Sequence, residues 1–261
     1  MIKTTDVLQG KEKFNLKMMV IGGSGSGKTH FSSSFPKCYF LMTEPSGEDT
    51  FLTNPALAKN VVGFDRFIPE NPLDTKRVFK ELAEATLMAK EMAKKGEIET
   101  LVLDNISFLT ENRWVYIENY ERELSTRTGE VNTQAMYGKL ARWMYQFVLM
   151  NLLTFPGNVV VTAHEQLESD EALEKKPDKT TPVLPNILGG FRDKADGMFS
   201  LVVYLNKLKD TKGYRYMCRT NKGNQRNAKS RIILPEIIED ISYGKLREVV
   251  DKALGLKKEG G

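Results

Sequence analysis

The sequence predicts an α/β fold, with a mostly parallel sheet flanked by helices, then a C-terminal β-meander and a closing helix. Three observations carry this. Short apolar runs alternate with stretches of helical period, the first run opens into a glycine-rich loop, and three late runs follow one another without a helical pattern between them.

The first run, Leu16-Lys17-Met18-Met19-Val20-Ile21, reads as a strand and leads into Gly22-Gly23-Ser24-Gly25-Ser26-Gly27-Lys28-Thr29. That loop fits G-x-x-x-x-G-K-[ST], in which backbone N–H groups turn inward around phosphates. Lys28 is placed to reach the outer phosphates, and the Thr29 hydroxyl to ligate Mg²⁺. His30-Phe31-Ser32-Ser33-Ser34 continues as the first turns of a helix. A flexible Gly/Ser linker has no reason to follow a buried strand or to end in Gly-Lys-Thr. The expectation is therefore a P-loop NTPase that takes a nucleotide with Mg²⁺.

The later elements follow by periodicity. Residues 37–42 read as a second strand, and Val78, Leu82, Ala85, Ala89 and Met92 recur on one helical face. Residues 100–104 form a third strand. Tyr137, Leu140, Ala141, Met144, Phe147, Val148 and Asn151 outline a second amphipathic helix, which leads into the β-branched run 158–163, a central strand. Residues 199–205, 214–219 and 231–234 are the three strands of the meander. Leu246, Val249, Val250, Ala253 and Leu254 mark the closing helix. Residues 1–256 are expected to form one domain and 257–261 a flexible tail. Residues 165–196, with charges and Pro177, Pro182 and Pro185, and residues 121–133 show little apolar period and read as loops.

Composition narrows the classes. At 261 residues, 41% hydrophobic and 28% charged, the chain can bury a sizeable core. It has neither a membrane-length apolar stretch nor a signal-peptide core. Cys38 and Cys218 supply no disulfide framework, which points to the cytoplasm, and two histidines with two scattered cysteines do not make a zinc site. A net charge of +4 permits a polyanionic partner.

Three polar residues stand just beyond strand ends, where open α/β sheets gather their chemistry. Asp104 closes Leu101-Val102-Leu103 and could hold Mg²⁺, or cap the segment that starts at Asn105. Glu44, two residues past the second strand, could deprotonate the water that attacks a γ-phosphate, or serve as a turn residue before Pro45. His164 follows the central strand and could sense the γ-phosphate, or be a hydrogen-bonded structural residue.

The order of loop, strand with Glu44, strand with Asp104, and strand with His164 resembles the RecA family of recombination ATPases. The likeness is closest at Cys38-Tyr39-Phe40-Leu41-Met42-Thr43-Glu44 and at Leu101-Val102-Leu103-Asp104-Asn105-Ile106-Ser107, and it covers most of residues 14–235. Where that family places a sensor, typically glutamine, Val161-Thr162-Ala163 leads to His164, a departure. The short lead-in to the loop looks like the small phage RecA-core ATPases, some of which anneal single strands. The resemblance implies a RecA-like core, ATP hydrolysis with Glu44 as the catalytic glutamate, and a homo-oligomer, ring or filament, with nucleotide at subunit interfaces. It implies single-stranded DNA in two loops: Arg122 and Arg127 in one, Lys175, Lys176, Lys179, Arg192 and Lys194 in the other. The second loop starts acidic, so a solvated disordered loop stays open as its alternative. The resemblance further implies that Lys222, with Arg226 next, reaches a neighbour's nucleotide; a basic turn at a strand edge is the alternative. A single-strand-binding protein is an implied accessory.

Other functions remain. Asn221-Lys222-Gly223-Asn224 looks like the guanine-reading N-K-x-D, but its last position lacks the carboxylate that accepts two guanine hydrogen bonds. A small-molecule kinase needs an arginine-bearing lid, for which the segment around Arg192 is the candidate. A helicase-loader or packaging motor would use the same core.

Overall fold

A computed structural model describes residues 14–45, 47–167, 183–210, 213–221 and 228–256. The strands are β1 (Lys17–Gly22), β2 (Cys38–Met42), β3 (Val61–Arg66), β4 (Thr100–Asp104), β5 (Asn158–Leu167), β6 (Val183–Pro185), β7 (Leu201–Asp210), β8 (Gly213–Arg219), β9 (Lys229–Ser230) and β10 (Ile237–Glu239). Their order is β10-β8-β7-β1-β5-β4-β2-β3, with β6 paired to β5 and β9 to β7. From β7 to β3 all neighbours on this path run parallel, and β8 and β10 add antiparallel strands at one edge.

The helices are α1 (Lys28–Ser32), α2 (Asp49–Thr53), α3 (Pro55–Ala58), α4 (Thr75–Lys94), α5 (Ile106–Tyr120), α6 (Thr133–Gln146), α7 (Arg192–Met198) and α8 (Tyr243–Leu254). A π-helical turn, Phe147–Leu152, extends α6. Asn105, Asn132 and Ser242 accept the orphan N–H groups of Phe108, Ala135 and Lys245, and so cap α5, α6 and α8.

The sheet is buried on both faces because its central strands are apolar throughout rather than alternating. Successive residues serve opposite cores. Met19, Ile21, Tyr39 and Leu41 pack with Val78, Leu82, Leu109, Ile117, Leu140 and Met144 of α4, α5 and α6. Met18, Val20, Phe40 and Met42 pack with Phe31 and Phe35 and with Leu246 and Val250 of α8 in a second cluster. Helix layers on both faces around a mostly parallel sheet are the α/β architecture expected from the sequence.

Two local expectations change, one loop is defined further and one strand is added. Residues 231–234 are not a strand; Pro235 lacks an N–H for the ladder, and the third meander strand is β10 beyond it. Residues 165–196 are not structureless throughout. β5 runs on to Leu167, Glu165 to Leu167 pair antiparallel with β6, and α7 follows; residues 168–182 lie outside the described set. Residues 121–133 form a turn closed by the Leu124–Val131 bridge and the Ser125 N–H donating to the Glu130 carbonyl at 2.7 Å. The edge strand β3 was not expected at all.

Among the described residues, no helix is long and apolar enough to cross a membrane.

Candidate functional site

Parallel register brings the ends of β1, β2 and β4 to one edge, level with His164, which lies within β5 rather than beyond it because that strand continues to Leu167 to pair with β6. Gly22 aligns with His164 across β1 and β5, and Met42 aligns with Asp104 across β2 and β4, with Glu44 two residues further on. The phosphate loop starts at that edge, which is where open α/β sheets bind ligands.

The loop needs its glycines. Gly25 and Gly27 have φ of 70° and 91°, the left-handed region. A Cβ on Gly27 would lie 2.3 Å from the Tyr216 ring, and one on Gly22 would lie 2.6 Å from the Leu205 carbonyl and 2.4 Å from Ser26 Oγ. Gly23 and Ser24 complete the turn into α1, with Ser24 exposed and Ser26 buried.

Lys28 is buried. Its Nζ donates to the Gly22 and Gly23 carbonyls, at 2.9 Å each, and lies 3.4 Å from His164 Nδ1. Burial pulls its pKa below the ordinary lysine value, against the charges of Asp104, Glu44 and Glu165. Thr29 Oγ1 donates to Asp104 Oδ2 at 2.7 Å, and Thr162 Oγ1 donates to Asp104 Oδ1 at 2.5 Å. Burial raises the Asp104 carboxyl, the Glu44 charge adds to that, and Thr162, Thr29 and Lys28 oppose it.

Glu44 is held from two sides. Asn105 Nδ2 donates to its Oε2 at 2.5 Å, and His164 Nε2 lies 3.3 Å from its Oε1. Burial would raise this carboxyl, but His164, Lys28 and Asn105 outweigh it and leave Glu44 below its ordinary value. One neutral tautomer of His164 satisfies both contacts, with Nε2–H donating to Glu44 and Nδ1 accepting from Lys28. His164 is also tied to α5, its backbone N–H donating to Ser107 Oγ at 3.0 Å.

These groups face a cleft of about 380 Å³ lined by the loop, Glu44, His164, His30, Tyr216 and residues of the 50–57 segment. A nucleoside triphosphate with Mg²⁺ suits this donor set. The loop supplies backbone N–H groups and a lysine, and Thr29 and Asp104 offer the oxygen ligands that Mg²⁺ prefers.

The sequence-predicted site residues divide into three groups. The structure brings Gly22 to His30, Glu44, Asp104 and His164 together. Lys175, Lys176, Lys179, Lys222 and Arg226 lie outside the described residues. Arg122 and Arg127 are exposed on the 121–133 turn, while Arg192 and Lys194 start α7. Lys194 helps line a second cleft of about 320 Å³ together with Arg142, Tyr145, Gly138, Gly190 and Phe191. Arg142, Asn105 and Tyr216 were missed by sequence reasoning. Arg142 falls on the exposed face of α6, and only the packing of that helix against the 189–194 segment reveals it.

Residues 14–232 match the family described as AAA domain (AAA_24). The chain belongs to the AAA domain family. With the sheet and loop above, this AAA domain is a P-loop ATPase, a class that binds nucleotide typically with Mg²⁺. It is similar to a KaiC-like protein from the hyperthermophilic archaeon Pyrococcus horikoshii, at 12% identity and a TM-score of 0.39, over 91% of this chain and 95% of that one. It is also similar to an ATPase from the type III secretion system of pathogenic bacteria, at 16% identity and a TM-score of 0.45, over 73% of this chain and 51% of that one. No curated protein sequence matches this AAA domain.

Proposed function

We propose that this protein hydrolyses ATP at the sheet edge, binds single-stranded DNA and promotes annealing or strand pairing as a homo-oligomer. The observation that carries the hydrolytic reading is the placement of Glu44, fixed between Asn105 and His164 and kept ionisable, facing the same cleft as Lys28. In the proposed step Glu44 takes a proton from water as the water oxygen bonds to the γ-phosphorus. The bond to the β–γ bridging oxygen breaks, releasing ADP and phosphate. Lys28 and the loop N–H groups hold the phosphates. Thr29 and Asp104 would hold Mg²⁺, which when bound offsets phosphate charge. His164 touches both Glu44 and Lys28, so it is the residue through which the state of the γ-phosphate would reach β5 and the segment beyond it.

The DNA reading is supported by the second cleft, where Arg142 and Lys194 offer two cations and the exposed Tyr145 an aromatic face, with Gly138 and Gly190 leaving the backbone open to close approach. Lys222 and Arg226 are the proposed trans cations at a neighbour's nucleotide. Direct binding tests the DNA part: oligonucleotide affinity should fall as salt rises, with a slope that Arg142→Ala and Lys194→Ala each make shallower by about 0.7. Unchanged affinity in the double variant would remove this cleft from DNA binding. No measurable binding would turn the reading toward a protein-partnered ATPase such as a helicase-loader.

A further inference from the structure

The nucleotide cleft has a wall that phosphate chemistry does not use. His30 directly follows Thr29 on α1, and Tyr216 comes from β8. Their rings stack with centroids 5.1 Å apart and planes inclined by 20°, and both line the cleft. The Tyr216 ring stands so close to Gly27 that a Cβ there would sit 2.3 Å from it. On β7, directly opposite Tyr216 in the ladder, Lys207 holds its Nζ 6.0 Å from that ring and 4.1 Å from the ring of Tyr214. The Tyr216 ring is thus set in place by a loop backbone, a second ring and a cation.

We propose that the stacked His30–Tyr216 pair is the nucleobase platform of this cleft, and that the cleft selects its nucleotide by stacking rather than by reading the base edge. The inference rests on the nucleotide reading above and concerns the part of that ligand beyond the phosphates. Three considerations lead to it. A base stacks on an aromatic face whatever its hydrogen-bonding edge, so such a platform holds a nucleotide without choosing among purines. Thr50, Thr53 and Asn54 also line the cleft, whereas the carboxylate among its described lining residues is Glu44, already bonded to Asn105. Guanine selection needs a carboxylate acceptor for two donors on one edge. Finally, a ring already packed on Gly27 and His30 loses little rotamer freedom when a base arrives. ATP and GTP should therefore bind within about tenfold of one another, a difference of about 1.4 kcal/mol or less.

The test is equilibrium titration of the full chain with ATP, GTP and inorganic tripolyphosphate in Mg²⁺ buffer. It compares the natural protein with Tyr216→Phe, Tyr216→Leu and Tyr216→Ala. Leucine keeps an apolar side chain over Gly27, so a loss there is not a packing defect alone. Phenylalanine should keep nucleotide affinity, while leucine and alanine should lose about tenfold for both nucleotides. Tripolyphosphate affinity should be the same in all four proteins. Equal losses for ATP and tripolyphosphate would mean that the ring only braces the loop, which overturns the proposal, as would unchanged ATP affinity in Tyr216→Leu. GTP binding more than about a hundredfold weaker than ATP would contradict selection by stacking. A natural protein that binds tripolyphosphate but not ATP would overturn the platform and leave the phosphate loop standing. Failure to bind either would overturn both.

Discussion

The Asn105 side chain reaches Glu44 and helix α5 at once: its Nδ2 donates to Glu44 Oε2 at 2.5 Å, and its Oδ1 accepts the Phe108 N–H at 3.0 Å. One amide therefore orients the proposed general base and caps the helix that leads to the 121–133 turn. Two substitutions separate these roles. Asn105→Ala should lower stability by about 1 kcal/mol through the lost cap and slow turnover about tenfold through a freer Glu44. Asn105→Asp keeps a capping oxygen but sets a second carboxylate against Glu44. Glu44 lies below its ordinary value in the natural protein, and a neighbouring negative charge raises it. Acidification should then abolish activity at a higher pH in Asn105→Asp than in the natural protein. A rate profile whose acid limb does not move would show that Asn105 serves the helix alone.

Gly27 is the position in the loop least able to carry a side chain. Its φ of 91° costs an L-residue about 1–2 kcal/mol, and its Cβ would meet the Tyr216 ring at 2.3 Å. Gly27→Ala should lower the melting temperature and weaken nucleotide binding at least tenfold. Gly25, whose added Cβ meets nothing within 4 Å, should tolerate alanine better in melting experiments despite its φ of 70°.

Glu44→Gln removes the proposed base and keeps the shape. ATP should bind with natural affinity while hydrolysis falls by about 10²–10⁴. Lys28→Ala should instead abolish ATP binding. If Lys222 acts across an interface, mixing Lys222→Ala with Glu44→Gln protein should restore part of the turnover, because some mixed interfaces then carry both natural residues. No recovery at any mixing ratio, measured as phosphate release, would mean that each site is complete within one subunit.

Cys38 and Cys218 are buried, and burial pushes both thiols up to about 12. Neither should form appreciable thiolate at pH 8, so both should resist an aromatic disulfide reagent in the native protein and react together on unfolding in denaturant. Rapid modification of either thiol without denaturant would contradict its packing in the sheet.

Much of the site was legible in the sequence because its residues sit at fixed offsets from apolar runs. Gly22 ends β1 and Gly23 to Thr29 follow it, Glu44 follows β2, Asp104 ends β4 and His164 lies within β5. Strand β3 was not legible. It lies at the sheet edge, only one of its faces is partly covered, and Gly63 interrupts its alternation. Helix α5 was missed for another reason: apolar side chains occur all round it, so no stripe of period 3.6 stands out. Asn105 was read only as the start of a segment, since its bond to Glu44 spans two strands. Tyr216 looked like one more strand residue until β8 placed it on Gly27 and His30.

The central claim joins hydrolysis at Glu44 to DNA, and ATP turnover by the purified protein, with and without single-stranded DNA across a salt series, tests it most directly. The account predicts turnover that DNA stimulates, stimulation that fades as salt rises, and loss of both in Glu44→Gln. Turnover indifferent to DNA at every salt concentration, or unaltered in Glu44→Gln, would contradict it.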